Sequence, residues 1–272
     1  MSGRLVSLQP NASVHPPLEQ LGFWGSPTST VDWCESNYAV SRYIAEFFNT
    51  TSSLVILAVA LFGGLLHYRG VERRFTAAFA ALGVVGVGST AFHATLRFEL
   101  QLLDELPMLY TALILVYVLV ENRASRRFGK WFLALLLAHG VLVTVLTAWT
   151  RSSIQFYLFH ASFGSLELFA LVSCIRIGLR QSSQALRRVF HIGIGSYVLG
   201  IVLWFIDLKY CSLVSFMLPG LGLVNPQLHA VWHVLVALGF YHLLVLLMFD
   251  RSTTLGQSAQ LRRRFWLPVV VH

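Results

Sequence analysis

Charge is what this sequence has least of. Asp, Glu, Lys and Arg make up 12% of its 272 residues, about half the share of an ordinary soluble domain. A chain so short of charge cannot cover a globular surface with polar groups, which excludes a soluble domain. With 56% hydrophobic residues and a mean hydropathy of +0.67, the composition is that of a polytopic membrane protein. Cysteine is scarce too, with three residues, too few for a disulfide scaffold. Internal repeats and low-complexity tracts are lacking, so the spans form one bundle without a second domain. No strand precedes Gly83, Gly86 and Gly88 and no P-loop lysine follows them, which excludes a phosphate-cradling loop. No charged stretch leads into a short apolar one at the start, so insertion is expected to rely on the first span. The net charge of +8 does not make a nucleic-acid binder, because the basic residues lie in short loops between apolar spans.

Long apolar runs are what the chain does have. Seven reach the roughly 20 residues that a helical span requires, at about 44–67, 75–96, 101–120, 130–150, 154–175, 189–208 and 228–249. Continuous apolarity argues for helices and against barrel strands, which alternate over about ten residues. The expected fold is all-α: a segment at 1–43, a seven-helix domain at 44–249 and an exposed basic tail at 250–272. Fifteen of the 20 Lys and Arg residues fall on one face of this arrangement, among them Arg73, Arg74, Arg176, Arg180 and Arg262 to Arg264. The positive-inside rule makes that face cytosolic, with the N-terminus lumenal and the C-terminus cytosolic. Cys34 and Cys211 then both lie on the oxidising face, where a bridge and two free thiols both fit; Cys174 reads as packing. The sequon at Asn11 is lumenal and open to glycosylation, whereas the one at Asn49 falls inside the first span.

A histidine at membrane depth is costly unless something binds it. In GVGSTAFHATL, Ser89 and His93 share a helix face near the lumenal end of the second span. In QLHAVWH, His229 and His233 share a face at the lumenal start of the seventh, by their i, i+4 spacing. Three imidazoles from two helices suit zinc with an open fourth position, the arrangement that activates water for hydrolysis. His67, His139, His160, His191 and His242 read as packing or interfacial residues. Asp104, in QLLDELP, matches the depth of His93 and is suited to proton transfer, or alternatively to orienting a histidine ligand; Glu105 points about 100° away. Ser89 can donate to an oxyanion or bond its own helix carbonyl. Glu167 is an isolated mid-span acid expected to hydrogen-bond between helices. Asp32, Glu35 and Asn37 lie within six residues and Glu46 follows at the first span. Their oxygens suit a hard cation such as calcium, or form a solvated loop with Glu46 capping the helix.

Taken in order, STVDWCESNY, YIAEFFNT, GSTAFHATL, QLLDELPM and HAVWH resemble the alkaline ceramidase family, over roughly residues 21–250 and closest to its phytoceramide-hydrolysing branch. The resemblance implies a seven-helix enzyme of endoplasmic reticulum or Golgi membranes that cleaves the ceramide amide to a sphingoid base and a fatty acid. It implies zinc on His93, His229 and His233, and catalytic roles for Ser89 and Asp104. It implies calcium on Asp32, Glu35, Asn37, Glu46 and the Trp33 carbonyl, and a Cys34–Cys211 disulfide. Ser53 stands where many members have asparagine, and is expected to touch none of the matched ligands. The related adiponectin-receptor-like proteins share the zinc arrangement, so the alternative is a lipid-sensing receptor with little turnover.

Overall fold

The computed structural model describes residues 22–68, 70–122, 128–214 and 220–272. The Asn11 sequon and the basic residues Arg4, Arg69, Arg123, Arg126 and Arg127 lie outside them. Among the described residues, seven long helices run in chain order: α1 Phe47–His67, α2 Arg73–Thr95, α3 Phe98–Val120, α4 Gly129–Trp149, α5 Ser153–Leu179, α6 Gln184–Lys209 and α7 Leu228–Thr254. Each is long and apolar enough to cross a membrane, which makes the chain a multi-pass, all-α membrane protein. α7 is the central helix, with 67% of its most apolar window buried, against 17–22% for α4, α5 and α6. Those three turn residues such as Leu135, Val141, Leu168 and Val202 outward, as lipid-facing helices do.

Two close helix crossings set the site. A Cβ on Gly86 would strike the backbone of Leu57, so α2 packs directly on α1. One on Gly88 would strike the Leu103 carbonyl, so α2 also packs directly on α3. Small residues permit such approach between membrane helices. Pro107 lies inside α3 and lacks the N–H that the Leu103 carbonyl, four residues earlier, would accept. The carbonyl freed by proline is thus the atom that α2 approaches, and Ser89 follows Gly88 as Asp104 follows Leu103.

The N-terminal segment closes the same end of the bundle. α2 is capped at its C-terminal end by Leu96, whose backbone is left-handed (φ 52°). The last carbonyls of a helix have no partner within it; here the segment supplies them. Thr28 and Ser29 donate to the Leu96 carbonyl, Ala45 to that of Ala94 and Glu46 to that of His93, at 2.9–3.1 Å. A buried network holds the segment to α3 and α5 as well. Thr30 donates to Gln155 at 2.6 Å, and Gln101 donates to Thr30 at 2.7 Å and to Glu105 at 2.8 Å.

The tail differs from the exposed arm expected of it. α7 continues to Thr254, and β1 (Gln260–Arg264) then pairs antiparallel with β2 (Leu267–Val271). Phe265 and Trp266, both at positive φ, form the two-residue turn that suits the strand twist. Arg262, Arg263 and Arg264 are exposed, but Val269 and Val270 are buried. β2 docks on the helices through Tyr241 Oη, which donates to the Pro268 carbonyl at 2.8 Å. The continuous apolar run of LPVVV, with Pro268, Val269 and Val270 all buried, outweighs the charge of the arginines on its partner strand.

Candidate metal centre and active site

Three histidine rings meet where α2 ends and α7 begins. Their centroids are 4.7–5.1 Å apart, and His93, His229 and His233 are buried. Among the described residues they are the one group of three His, Cys, Asp or Glu side chains able to share a metal, with ligand atoms within 4.8 Å of one another. His93 Nε2, His233 Nε2 and His229 Nδ1 are buried without a hydrogen-bond partner. Leaving three such nitrogens unpaired in a core costs about 1–3 kcal/mol each, so their convergence is the mark of a ligand position.

The opposite ring atoms fix the tautomers. His93 Nδ1 lies 2.5 Å from Glu46 Oε2, and a carboxylate there makes that nitrogen the proton bearer and Nε2 the lone pair. His233 Nδ1 lies 2.8 Å from Ser52 Oγ, a hydroxyl able to accept from Nδ1–H and so compatible with an Nε2 lone pair facing the cluster. The Trp33 indole stacks on His229 with centroids 3.7 Å apart and planes 24° from parallel. Asp207 on α6 accepts from the backbone N–H of Cys34 at 3.2 Å. It ties the N-terminal segment to α6.

Ser89 and the Asp104 carboxyl face each other across the α2–α3 contact. Ser89 Oγ also lies 2.9 Å from Ser53 Oγ, so its hydroxyl faces neighbouring helices. Asp104 does not serve as the carboxylate that orients a histidine; Glu46 holds that place. Glu105 is occupied by Gln101 and Gln155. Ser53 lies 3.5 Å from His233 Nδ1 as well as beside Ser89, which corrects the expectation that it touches none of these residues.

The acidic residues divide their work differently from the spacing. Glu35, not Glu46, caps α1: its two oxygens accept from Phe48 N at 2.7 Å and Asn49 N at 2.8 Å. Burial pushes the Glu35 carboxyl up to about 6, opposed by those bonds and helped by the nearby Glu46 charge. Glu46 accepts from Trp33 N at 3.2 Å and Asn49 Nδ2 at 3.1 Å besides His93. Asn37 Nδ2 donates to Asp32 at 3.1 Å, while Asn37 Oδ1 is buried without a partner. Cys34 and Cys211 form a disulfide, with Cα atoms 5.2 Å apart. The packing histidines have partners away from the cluster: His67 bonds Gly63 O, His160 bonds Phe156 O and His242 bonds Leu238 O, each within its own helix, and His139 on α4 bonds Ser162 on α5. Glu167 accepts from Tyr197 on α6 at 2.7 Å, the interhelical bond expected of it.

The Ceramidase family model matches residues 25–271, nearly the whole described chain. The chain belongs to the ceramidase family. This ceramidase-family chain is 37% identical over 256 residues to alkaline ceramidase 3 of Mus musculus, covering 92% of itself and 94% of that protein. It is 32% identical to alkaline ceramidase YPC1 of Saccharomyces cerevisiae, covering 90% and 83%, and 31% identical to an alkaline ceramidase of Arabidopsis thaliana, covering 88% and 91%. The match makes it a hydrolase embedded in a membrane. Glu46 with His93, Ser52 with His233, and Asp207 escape sequence reading, since each pairs elements far apart in the chain.

Proposed function

We propose that this ceramidase-family member is an intramembrane, zinc-dependent amidase that hydrolyses the N-acyl amide of ceramides to a sphingoid base and a free fatty acid. The observation that carries the reading is the convergence of three unpartnered imidazole nitrogens beside a serine–aspartate pair. Nitrogen-only donors in a buried site suit zinc better than a hard cation. Zinc held by His93, His229 and His233 supplies a Lewis acid and lowers the pKa of water.

The protein's own groups perform the remaining tasks. Glu46, Ser52 and Trp33 hold the imidazoles in place. Asp104 takes a proton from the attacking water as its oxygen bonds to the amide carbon. Ser89 Oγ–H donates to the carbonyl oxygen as it becomes an oxyanion. The proton on Asp104 then passes to the amide nitrogen, the C–N bond breaks, and the sphingoid base leaves as an amine. Ceramide enters from the bilayer, its chains lying along apolar surfaces between helices. Calcium on Asp32, Glu35, Asn37, Glu46 and the Trp33 carbonyl would lock the segment that seats Trp33 and Glu46; the unpartnered Asn37 Oδ1 supports an oxygen-binding cation there. The segment would face the lumen of the endoplasmic reticulum or Golgi.

Fatty-acid release from ceramide in detergent or nanodiscs, with and without a zinc chelator, tests this alongside His229→Ala. Loss of zinc and of hydrolysis together is expected. Undiminished hydrolysis by His229→Ala sinks the metal mechanism, and folded, zinc-loaded protein that cleaves no ceramide points instead to a lipid receptor.

A further inference from the structure

Ser53 is fully buried on α1, one turn beyond Asn49. Its Oγ has three polar neighbours: the Asn49 carbonyl at 2.7 Å, Ser89 Oγ at 2.9 Å and His233 Nδ1 at 3.5 Å. One hydroxyl proton must serve them, and the adjacent serine decides how. Ser52 Oγ lies 2.8 Å from His233 Nδ1 and 3.0 Å from the same Asn49 carbonyl. With the His233 Nε2 lone pair turned into the cluster, Nδ1–H donates to Ser52 Oγ, and Ser52 sends its own proton to the Asn49 carbonyl. The Asn49 carbonyl, which in the resting structure also accepts from Ser53 Oγ at 2.7 Å, is then satisfied by Ser52 when the Ser53 proton turns away. The Ser53 proton can then turn to Ser89 Oγ, leaving the Ser89 proton for an acceptor on its other side: the Asp104 carboxyl in the resting protein and the carbonyl oxygen of bound substrate. A hydroxyl that accepts one bond donates the next more strongly, because hydrogen bonds in a chain polarise one another.

We propose that Ser53 is a positioning residue for Ser89: it donates to Ser89 Oγ and so aims and strengthens the hydroxyl that Ser89 gives to the substrate carbonyl oxygen. This rests on the reading of Ser89 as oxyanion donor, and it assigns distinct tasks to two adjacent serines. Ser52 serves His233 and Ser53 serves Ser89.

The test is a double-mutant cycle on purified full-length protein, with Ser53→Ala, Ser89→Ala, their combination and Ser53→Thr. Ceramide hydrolysis, zinc content and melting temperature are measured for each. Ser53→Ala is expected to lower kcat about tenfold, with KM and zinc content unchanged, and Ser53→Thr to recover most of the loss. In the Ser89→Ala background, Ser53→Ala should cost less than about twofold, because the group it acts through is gone. Full kcat in Ser53→Ala, loss of zinc from it, or an undiminished effect in the Ser89→Ala background overturns the proposal. If Ser53→Ala does not fold, Ser53→Thr decides: near-normal kcat supports the proposal, and a loss as deep as that of Ser89→Ala refutes it. Full activity in Ser89→Ala removes the parent reading and this inference with it. A crippled Ser89→Ala beside an intact Ser53→Ala removes only the inference.

Discussion

Glu46→Gln probes the join between the N-terminal segment and the histidine cluster. The Glu46 carboxylate is fully buried and receives three donors: His93 Nδ1, Asn49 Nδ2 and Trp33 N. Glutamine has the same shape but one acceptor oxygen, so its NH2 must face either His93 or Trp33, donor against donor. A charge-assisted bond contributes about 1.5–3 kcal/mol. Hydrogen-bond partners of metal-ligating histidines are typically worth about 10–100-fold in metal affinity or activity, which at 1.4 kcal/mol per decade is about 1.4–2.8 kcal/mol. The two estimates agree. Zinc affinity in Glu46→Gln, measured by competition with a chromogenic chelator, should therefore fall about 10–100-fold, with activity recovered at high zinc. Glu46→Asp should do no better, because its shorter side chain withdraws from His93. Zinc affinity within twofold of wild type, in protein of normal helix content, would refute the coupling.

Asp104→Asn should lower kcat by about 10²–10⁴-fold with zinc retained, since the amide cannot carry the proton; single-turnover kinetics with zinc analysis checks it, and near-normal kcat removes Asp104 from the mechanism. Glu35 is raised in the fold from 4.5 to about 6 by burial, so its contribution to stability is full below pH 4.5 and lost as pH rises through 6. The melting temperature of calcium-free protein should fall across that window and be restored by calcium above it, and Glu35→Gln should flatten the slope; an identical slope in that variant refutes the assignment. Cys34→Ser should destabilise the protein by about 2–5 kcal/mol, since the bridge joins residues 177 apart in sequence. Cys34 sits beside Trp33, so zinc affinity should fall with it; chelator competition and thermal melts separate the two effects.

Much of the architecture is legible one segment at a time. Apolar runs of bilayer length become helices wherever they occur, because a backbone in lipid must bond to itself. Seven spans were therefore readable, with ends displaced by a few residues: α3 begins at Phe98 and α7 extends to Thr254. The His229–His233 pair was readable for the same reason, since i, i+4 residues share a face regardless of what surrounds the helix. The basic tail was not. Its arginines signal exposure locally, and only the surface offered by α1 and α7 makes Val269 and Val270 core residues.

The sequence by itself determined the seven membrane helices, the supply of imidazoles at one depth and the family. Which oxygen meets which nitrogen was left to the tertiary structure. Glu46 looked like a helix cap or a cation ligand, and Ser53 like a neutral departure. The first proved to be the partner of His93, the second a neighbour of both Ser89 and His233. Hydrogen bonds act over about 3 Å, and these partners are separated by 47, 36 and 180 residues. Such distances close only when α1, α2 and α7 pack, and the crossing at Gly86 sets how closely α1 and α2 approach.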